Sequence, residues 1–316
     1  MSDRFDCVVC GELCADLPIW PIDHNAPLAG KTLVPVEPIR PHGGGIVANS
    51  GIALARLSAR TAAVACIGRD WFGDMLVTLL KDEGIDTSCL LRHDELPSSA
   101  TAVLIGEQGE HTFAYHNGAS RALTREAILE QSALFEQADF ALFGYYGLMP
   151  ELEGELAEVL RQVRASGCKT ALDAAGGGGS LQPLDRILPH LDLYVPSQEE
   201  AIAQTGLSDP RQVIEVYRRH GCAGLLGVKL GARGALLSPS DGDFLEIEPI
   251  QPPGPVIDTT GAGDCFYAGL IAGLSRGLSV AEAGRIGAAA GACSVTGLGA
   301  VAGLRDFLTT RKLAGV

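Results

Sequence analysis

Asp258-Thr259-Thr260-Gly261-Ala262-Gly263-Asp264 runs directly into Cys265-Phe266-Tyr267-Ala268-Gly269-Leu270-Ile271, a turn of small residues feeding an apolar helix. Consecutive small residues at a helix start leave amide N–H groups able to converge on one anion, and the helix dipole adds partial positive charge there. A transferring phosphoryl group needs such a cradle. Asp264 falls in the first turn beside those amides, where a carboxylate can take a proton from an attacking hydroxyl while the amides hold the phosphate charge. The same residues also read as an ordinary glycine turn with Asp264 capping the helix. Both readings stand at this level.

Outward from this stretch the chain alternates strands and helices. Phe5 to Gly11 is a β-rich run, Asn49 to Ala59 has helical spacing of Ile52, Ala53, Leu54 and Leu57, and Thr61 to Ile67 reads as a buried strand. The pattern continues with a helix at Phe72 to Lys81, a strand at Phe140 to Phe143, a helix at Leu152 to Arg164 and a strand at Thr170 to Leu172. A strand at Asp192 to Val195, a helix at Arg211 to Arg219 and a strand from Gly224 to Val228 leading into Lys229 complete it. Such alternation predicts a parallel sheet covered on both faces. Two stretches break the rhythm: Leu17 to Pro41 is proline-rich, and Thr101 to His116 reads as two strands turning at Glu107-Gln108-Gly109-Glu110. They read either as a small antiparallel lid or as long surface loops. From Gly261 to Gly303 the chain is mostly Ala, Gly, Ser and Leu, which suits helices whose backbones approach each other or a ligand.

Composition narrows the function. Of 316 residues, 47% are hydrophobic and 20% charged, and 24 Lys+Arg against 38 Asp+Glu leave a net charge of −14. That balance argues against a nucleic-acid or anionic-membrane partner, since both are held by basic patches. It does not oppose phosphate binding by backbone amides. The nine cysteines are scattered and mostly lie in apolar runs, which fits reduced, buried thiols in a reducing compartment better than a disulfide framework. Cys7, Cys10 and Cys14 read as core rather than metal ligands, because no second cluster completes a tetrahedral set. With no apolar leader at Met1 to Asp6 and no apolar run long enough to span a bilayer, a cytoplasmic protein is expected. The 40 glycines remain as the feature to explain.

The heptad ending at Asp264 resembles the C-terminal signature of the ribokinase-like (PfkB) carbohydrate kinases. Gly43-Gly44-Gly45-Ile46-Val47-Ala48-Asn49 is similar to their N-terminal signature, Gly44, Gly45 and Asn49 matching its paired glycines and following asparagine. Gly68-Arg69-Asp70-Trp71-Phe72-Gly73-Asp74 is a third match, and order and spacing agree from Phe5 to about Leu308. The resemblance implies an α/β fold, a ribokinase-like three-layer sandwich with a mostly parallel sheet and a small β-sheet lid. It implies one domain over residues 1–316, with lid segments at about 17–41 and 101–118. It implies ATP- and magnesium-dependent phosphorylation of a hydroxyl, usually a primary one, on a sugar or sugar derivative.

Laid on this sequence, the resemblance makes Asp264 the general base and Gly261, Ala262 and Gly263 the anion hole. Asp16, in Gly11-Glu12-Leu13-Cys14-Ala15-Asp16, would accept hydrogen bonds from sugar hydroxyls, with Gly44, Gly45 and Asn49 also against substrate. Asp16 reads equally as a turn residue after a strand, and Asn49 as a helix cap. Val228-Lys229-Leu230-Gly231-Ala232-Arg233-Gly234 is similar to the strand and turn beside the ATP phosphates, which places Lys229, Gly231 and Gly234 there. Ala288 would leave adenine held by apolar contact. Asp192 to Glu200 resembles the family's Asn-x-x-Glu magnesium element, with Ser197 where asparagine is usual and Glu200 keeping the carboxylate. Ser197 and Glu200 also read as a capping box. A potassium site would draw on Asp258, Thr260 and carbonyls near Ser294, Gly297, Gly299 and Gly303. A homodimer through the lid is a further expectation. His24, His42, His111 and His116 read as solvated loop residues, with His116 and Asn117 able to reach substrate if the hairpin closes. A nucleoside kinase of the same family, or a catalytically silent sugar- or nucleotide-binding relative, is the alternative. An NAD-dependent oxidoreductase fits poorly, because Gly11 to Asp16 lacks the glycine spacing of that fold.

Overall fold

The structure, a computed structural model, describes residues 4–24, 33–106, 110–174 and 181–316. In strand β1 (Phe5–Gly11) Cys7, Val8, Val9 and Cys10 are all fully buried, which a strand sustains only when both of its faces are covered. Alternation along the strand divides them: Cys7 and Val9 enter one core, Val8 and Cys10 the other. These two cores are the interfaces of a three-layer sandwich. The first lies under the helices Gly45–Arg56, Ala262–Ser275 and Val280–Ser294, and the second under Leu156–Ala165 and Pro210–Arg219.

The remaining strands are β2 (Cys14–Ile19), β3 (His42–Gly44), β4 (Thr61–Gly68), β5 (Leu90–His93), β6 (Ser99–Ile105) and β7 (His111–His116). They continue with β8 (Ala138–Gly144), β9 (Lys169–Asp173), β10 (Leu193–Tyr194), β11 (Leu225–Lys229), β12 (Ala235–Ser238) and β13 (Leu245–Ile247). The large sheet has the order β13-β12-β11-β10-β9-β8-β1-β4-β5. From β5 to β11 neighbouring strands run parallel, and β12 and β13 are added as antiparallel hairpins at one edge. Parallel order brings the C-terminal ends of β1, β8, β9 and β11 to one rim, where ligands of such sheets are received.

A second sheet has the order β3-β2-β6-β7. The expectation of a small lid sheet holds, but the sheet is mixed rather than antiparallel throughout. β2 pairs with β6 in parallel, while the β3–β2 and β6–β7 pairs are antiparallel. Its strands begin nearer the main sheet than the segment 17–41 suggested, so Asp16, paired with His42, belongs to the second sheet itself. Most of the turn at Glu107 to Glu110, and residues 25–32 of the proline-rich stretch, lie outside the described residues, as does Gly176 to Gly179.

Element boundaries differ from the expected ones where glycine or proline intervenes. The helix expected at Asn49 to Ala59 spans Gly45–Arg56 with Gly44 as its N-cap, so Asn49 is an interior helical residue and caps nothing. The helix expected at Leu152 to Arg164 is two, Pro150–Glu153 and Leu156–Ala165, interrupted at Gly154, where helical order is costly. All nine cysteines are free thiols and eight are buried, as core packing predicts.

The glycine-rich C-terminal helices pack backbone to backbone. A Cβ added at Gly269 would lie 2.8 Å from the Gly287 Cα and 3.0 Å from the Ala290 Cβ, and one at Gly273 would lie 2.8 Å from the Ala283 Cα. Gly269→Val should therefore force the two helices apart and destabilise the protein by about 2–3 kcal/mol, the cost of overpacking a tight core. Urea unfolding followed by circular dichroism measures this, and an unchanged midpoint would refute the close-packing account.

Candidate active site

The helix Ala262–Ser275 starts at the rim where the parallel strands end. Its N-cap is Gly261, with φ 72°, and no side chain caps its first turn. Asp264 is the third helical residue and points elsewhere, which removes the reading of it as a capping residue. Ala262 already donates its N–H to the Thr259 carbonyl at 3.3 Å, so this amide also serves the turn. A Cβ at Gly263 would come within 3.1 Å of Lys229 Nζ, so the absence of a side chain lets the ammonium lie against the helix start.

Asp264 is 6% exposed. Its Oδ2 accepts from Asn49 Nδ2 at 3.0 Å, and the Tyr145 hydroxyl donates to Oδ1 and Oδ2 at 3.1 and 3.0 Å. The Ser50 hydroxyl donates to the Asp264 carbonyl at 3.3 Å. Burial, reinforced by the charge of Asp173, pushes the Asp264 carboxyl up to about 7, against the opposing pull of Lys229, Asn49 and Tyr145. A carboxylate poised near neutrality matches the demand on a general base.

Lys229 Nζ donates to Asp173 Oδ2 at 3.1 Å; Asp173 is buried and the lysine side chain nearly so. Burial pulls the lysine down, but the facing carboxylates of Asp173, Glu200 and Asp264 outweigh it and leave it raised, so it remains charged. Asp173 ends β9 and Tyr145 follows β8; neither stood out in the sequence. For Asp173 the available signal is a lone acidic residue closing a buried parallel strand. For Tyr145 the sequence offers only a tyrosine pair after a glycine.

Two joined clefts meet at this helix start. One, of about 500 Å³, is lined by Lys229, Gly231, Gly234, Ala262, Gly263 and Ala288 together with apolar residues such as Ile250, Val256 and Phe266. The other, of about 360 Å³, is polar and is lined by Tyr145, Asp173, Ser197, Glu200, Lys229, and residues 261–264. Ser197 and Glu200 form the capping box that the sequence allowed: Ser197 N–H donates to Glu200 Oε2 at 2.7 Å and Glu200 N–H to Ser197 Oγ at 3.2 Å. Among the described residues no three or more His, Cys, Asp or Glu side chains are grouped to hold a metal ion.

Toward the second sheet, a Cβ at Gly44 would collide with the Asp16 carboxylate, and Gly45 has φ 78° with Glu12 beneath it. Gly44 thus leaves room for the Asp16 carboxylate, while Gly45 is required by its left-handed backbone and the Glu12 carbonyl against it. Burial raises the Asp16 carboxyl, with Cys14 Sγ donating to its Oδ1 at 3.3 Å. Burial also pushes the Glu12 carboxyl up to about 7, while Tyr115 of β7 donates to its Oε1 at 2.8 Å. Asn117 is tied to the Leu148 carbonyl at 2.8 Å.

The Asp258 carboxylate braces the turn before the helix, accepting from the N–H groups of Thr260 and Gly299 at 2.8 Å each. Gly303 packs against the Cys293 and Ser294 carbonyls, and Gly297 N–H donates to the Ser294 carbonyl at 3.3 Å. His111 is not a solvated loop residue. It opens β7, and its ring lies 3.4 Å from Thr260 Oγ1 and 3.9 Å from Asp258 Oδ1, joining the second sheet to this turn.

The profile of the pfkB family carbohydrate kinases matches residues 5–306. The ribokinase of Haemophilus influenzae is 30% identical over 267 residues, 81% of this chain and 82% of that protein. The aminoimidazole riboside kinase of Salmonella typhimurium is 29% identical over 292 residues, 86% of this chain and 89% of that protein. The structure of Arabidopsis thaliana ribokinase complexed with ribose and ATP superposes with a TM-score of 0.88 at 24% identity, covering 100% of both chains. The chain belongs to the pfkB family of carbohydrate kinases. Its chemistry is accordingly ATP-dependent phosphoryl transfer to a carbohydrate-type hydroxyl.

The Asp173–Lys229 pair makes a prediction of its own. Lys229→Met removes the ammonium that faces the buried Asp173 carboxylate and should cost about 3–5 kcal/mol of stability, whereas the double variant Asp173→Asn, Lys229→Met should recover much of it. Chemical denaturation of the two single variants and the double variant tests this. Additive losses would show that the pair is not coupled.

Proposed function

We propose that Asp264 is the general base of a kinase acting on a hydroxyl of a sugar or sugar derivative. The observation that carries this is the buried Asp264 carboxylate, poised near neutrality at the helix start where the apolar and polar clefts meet. Asp264 takes the acceptor's proton as its oxygen attacks the terminal phosphorus of ATP, and the bond to ADP breaks. The amides around Gly261, Ala262 and Gly263 and the Lys229 ammonium hold the charge on the transferring group. The apolar cleft with Ala288, Gly231 and Gly234 suits the nucleotide. Asp16, which offers several acceptor positions and no donor when ionised, suits sugar hydroxyls with Gly44 and Gly45 beside it.

Magnesium, when bound with ATP, supplies neutralisation of phosphate charge. The polar cleft fits it, because this ion keeps much of its water and needs few protein carboxylates. Glu200 is the side chain we assign to it. For potassium we assign the turn of Asp258 and Thr260 with the carbonyls near Ser294, Gly297 and Gly299. Turnover in K⁺ should exceed turnover in a bulky organic cation, and equal rates would rule the cation out. The exposed Phe113 of β7 and Trp20, just past the end of β2, support a homodimer through the second sheet, and the buried thiols support a reducing, cytoplasmic setting.

Asp264→Asn should lower kcat by about 10²–10⁴-fold with little change in the KM for ATP. Because the carboxyl must be ionised to accept the proton, wild-type kcat/KM should fall as pH drops through about 7. Near-normal turnover of the variant would remove Asp264 from this role. A panel of sugars, sugar acids and nucleosides with ATP and magnesium identifies the acceptor. The similarity to a riboside kinase favours the nucleoside as second reading, and no turnover with any acceptor would favour a silent binding protein.

A further inference from the structure

Tyr145 directly follows β8 with φ 63° and ψ 36°. This left-handed conformation is sterically costly for a residue with a Cβ and rare for a bulky one. Among the described residues Ser58 is the other non-glycine residue with positive φ. Neighbouring backbone holds Tyr145 there: its N–H donates to the Asp173 carbonyl at 3.1 Å, and its carbonyl accepts from Leu148 N–H at 2.9 Å. The result is seen at the far end of the side chain. One O–H is shared between the two oxygens of Asp264, at 3.1 and 3.0 Å, while Asn49 approaches Oδ2 from a different element. Phenylalanine could fill the same space, but it could not make this contact.

We propose that Tyr145 is a positioning residue for the base, its hydroxyl orienting the Asp264 carboxylate and stabilising its ionised form. The inference rests on Asp264 being the base. The tyrosine keeps its proton and can stay hydrogen-bonded to one carboxylate oxygen while the other receives the proton of the acceptor. The groups facing Asp264 are Asn49 and Ser50 from the helix Gly45–Arg56, Tyr145 after β8, Asp173 at the end of β9, Lys229 at the end of β11, and Cys265 beside it. Of these Asp173 opposes ionisation, and Lys229, Asn49 and Tyr145 favour it.

The test is the pH dependence of kcat/KM for Tyr145→Phe in the intact enzyme, with ATP and an acceptor found in the panel. Loss of one hydrogen bond to a charged group should move the acid limb up by about one pH unit. Activity should then be about tenfold lower at pH 6 yet within about twofold of wild type above pH 9, with the KM for ATP unchanged. The same loss at every pH, an unmoved limb, or a change confined to the acceptor KM would overturn the proposal. Should the phenylalanine variant not fold, Tyr145→Asn tolerates the left-handed backbone and is too short to reach Asp264. It should show the same shift, and an unmoved limb in a folded Asn variant would equally overturn the proposal. Asp264→Asn separates the two levels. If that variant is active, the assignment of the base falls. If it is inactive while the Tyr145→Phe limb stays in place, only the role of Tyr145 falls.

Discussion

An ionised carboxylate taken out of water must find its solvation in the protein, and at Asp264 nearly every part of the fold answers to that requirement. Asn49 and Ser50 come from the first long helix, Tyr145 from the end of β8, and Lys229 from the end of β11. No local segment could supply them together. They meet because parallel strands deliver their C-terminal ends to a single rim and because the helix Ala262–Ser275 begins there. Asp173 adds a second constraint. Its charge opposes that of Asp264 and is itself held by Lys229, so three ionisable groups share one region, and Asp264 and Lys229 both hold their protons more tightly than usual.

The same rim reconciles an acidic protein with phosphate chemistry. A net charge of −14 creates no basic surface, and the positive potential is instead local, from a helix start without a side-chain cap and a lysine lying against Gly263. The glycines are what allow this. At Gly263 the missing Cβ admits the ammonium, at Gly44 it leaves room for the Asp16 carboxylate, and at Gly269 and Gly273 it lets the following helix close behind the site. The second sheet is tied to the same region by His111 at the Asp258 turn and by Tyr115 at Glu12, so a contact at the lid bears directly on the turn that precedes the base.

Periodicity alone found the main strands, the covered parallel sheet and the small-residue helices, because burial on two faces leaves continuous apolar runs that no loop would keep. It misplaced the start of the Gly45–Arg56 helix, since three glycines in a row conceal where helical backbone begins, and it ran two helices together across Gly154. It set His111 in solvent, although the pairing of β7 with β6 carries that ring to Asp258.

The sequence by itself determined the helix that starts at Gly261, the acidic residue in its first turn and the glycine pair at Gly44 and Gly45, because these depend on neighbours within one turn of chain. Only the tertiary structure decided what surrounds Asp264. Tyr145 is 119 residues away along the chain and Asn49 is 215, and Lys229 and Asp173 are 56 apart. Solvation and charge of a buried carboxylate are set by what lies within a few ångströms of it in space, and no local pattern of residues encodes that distance.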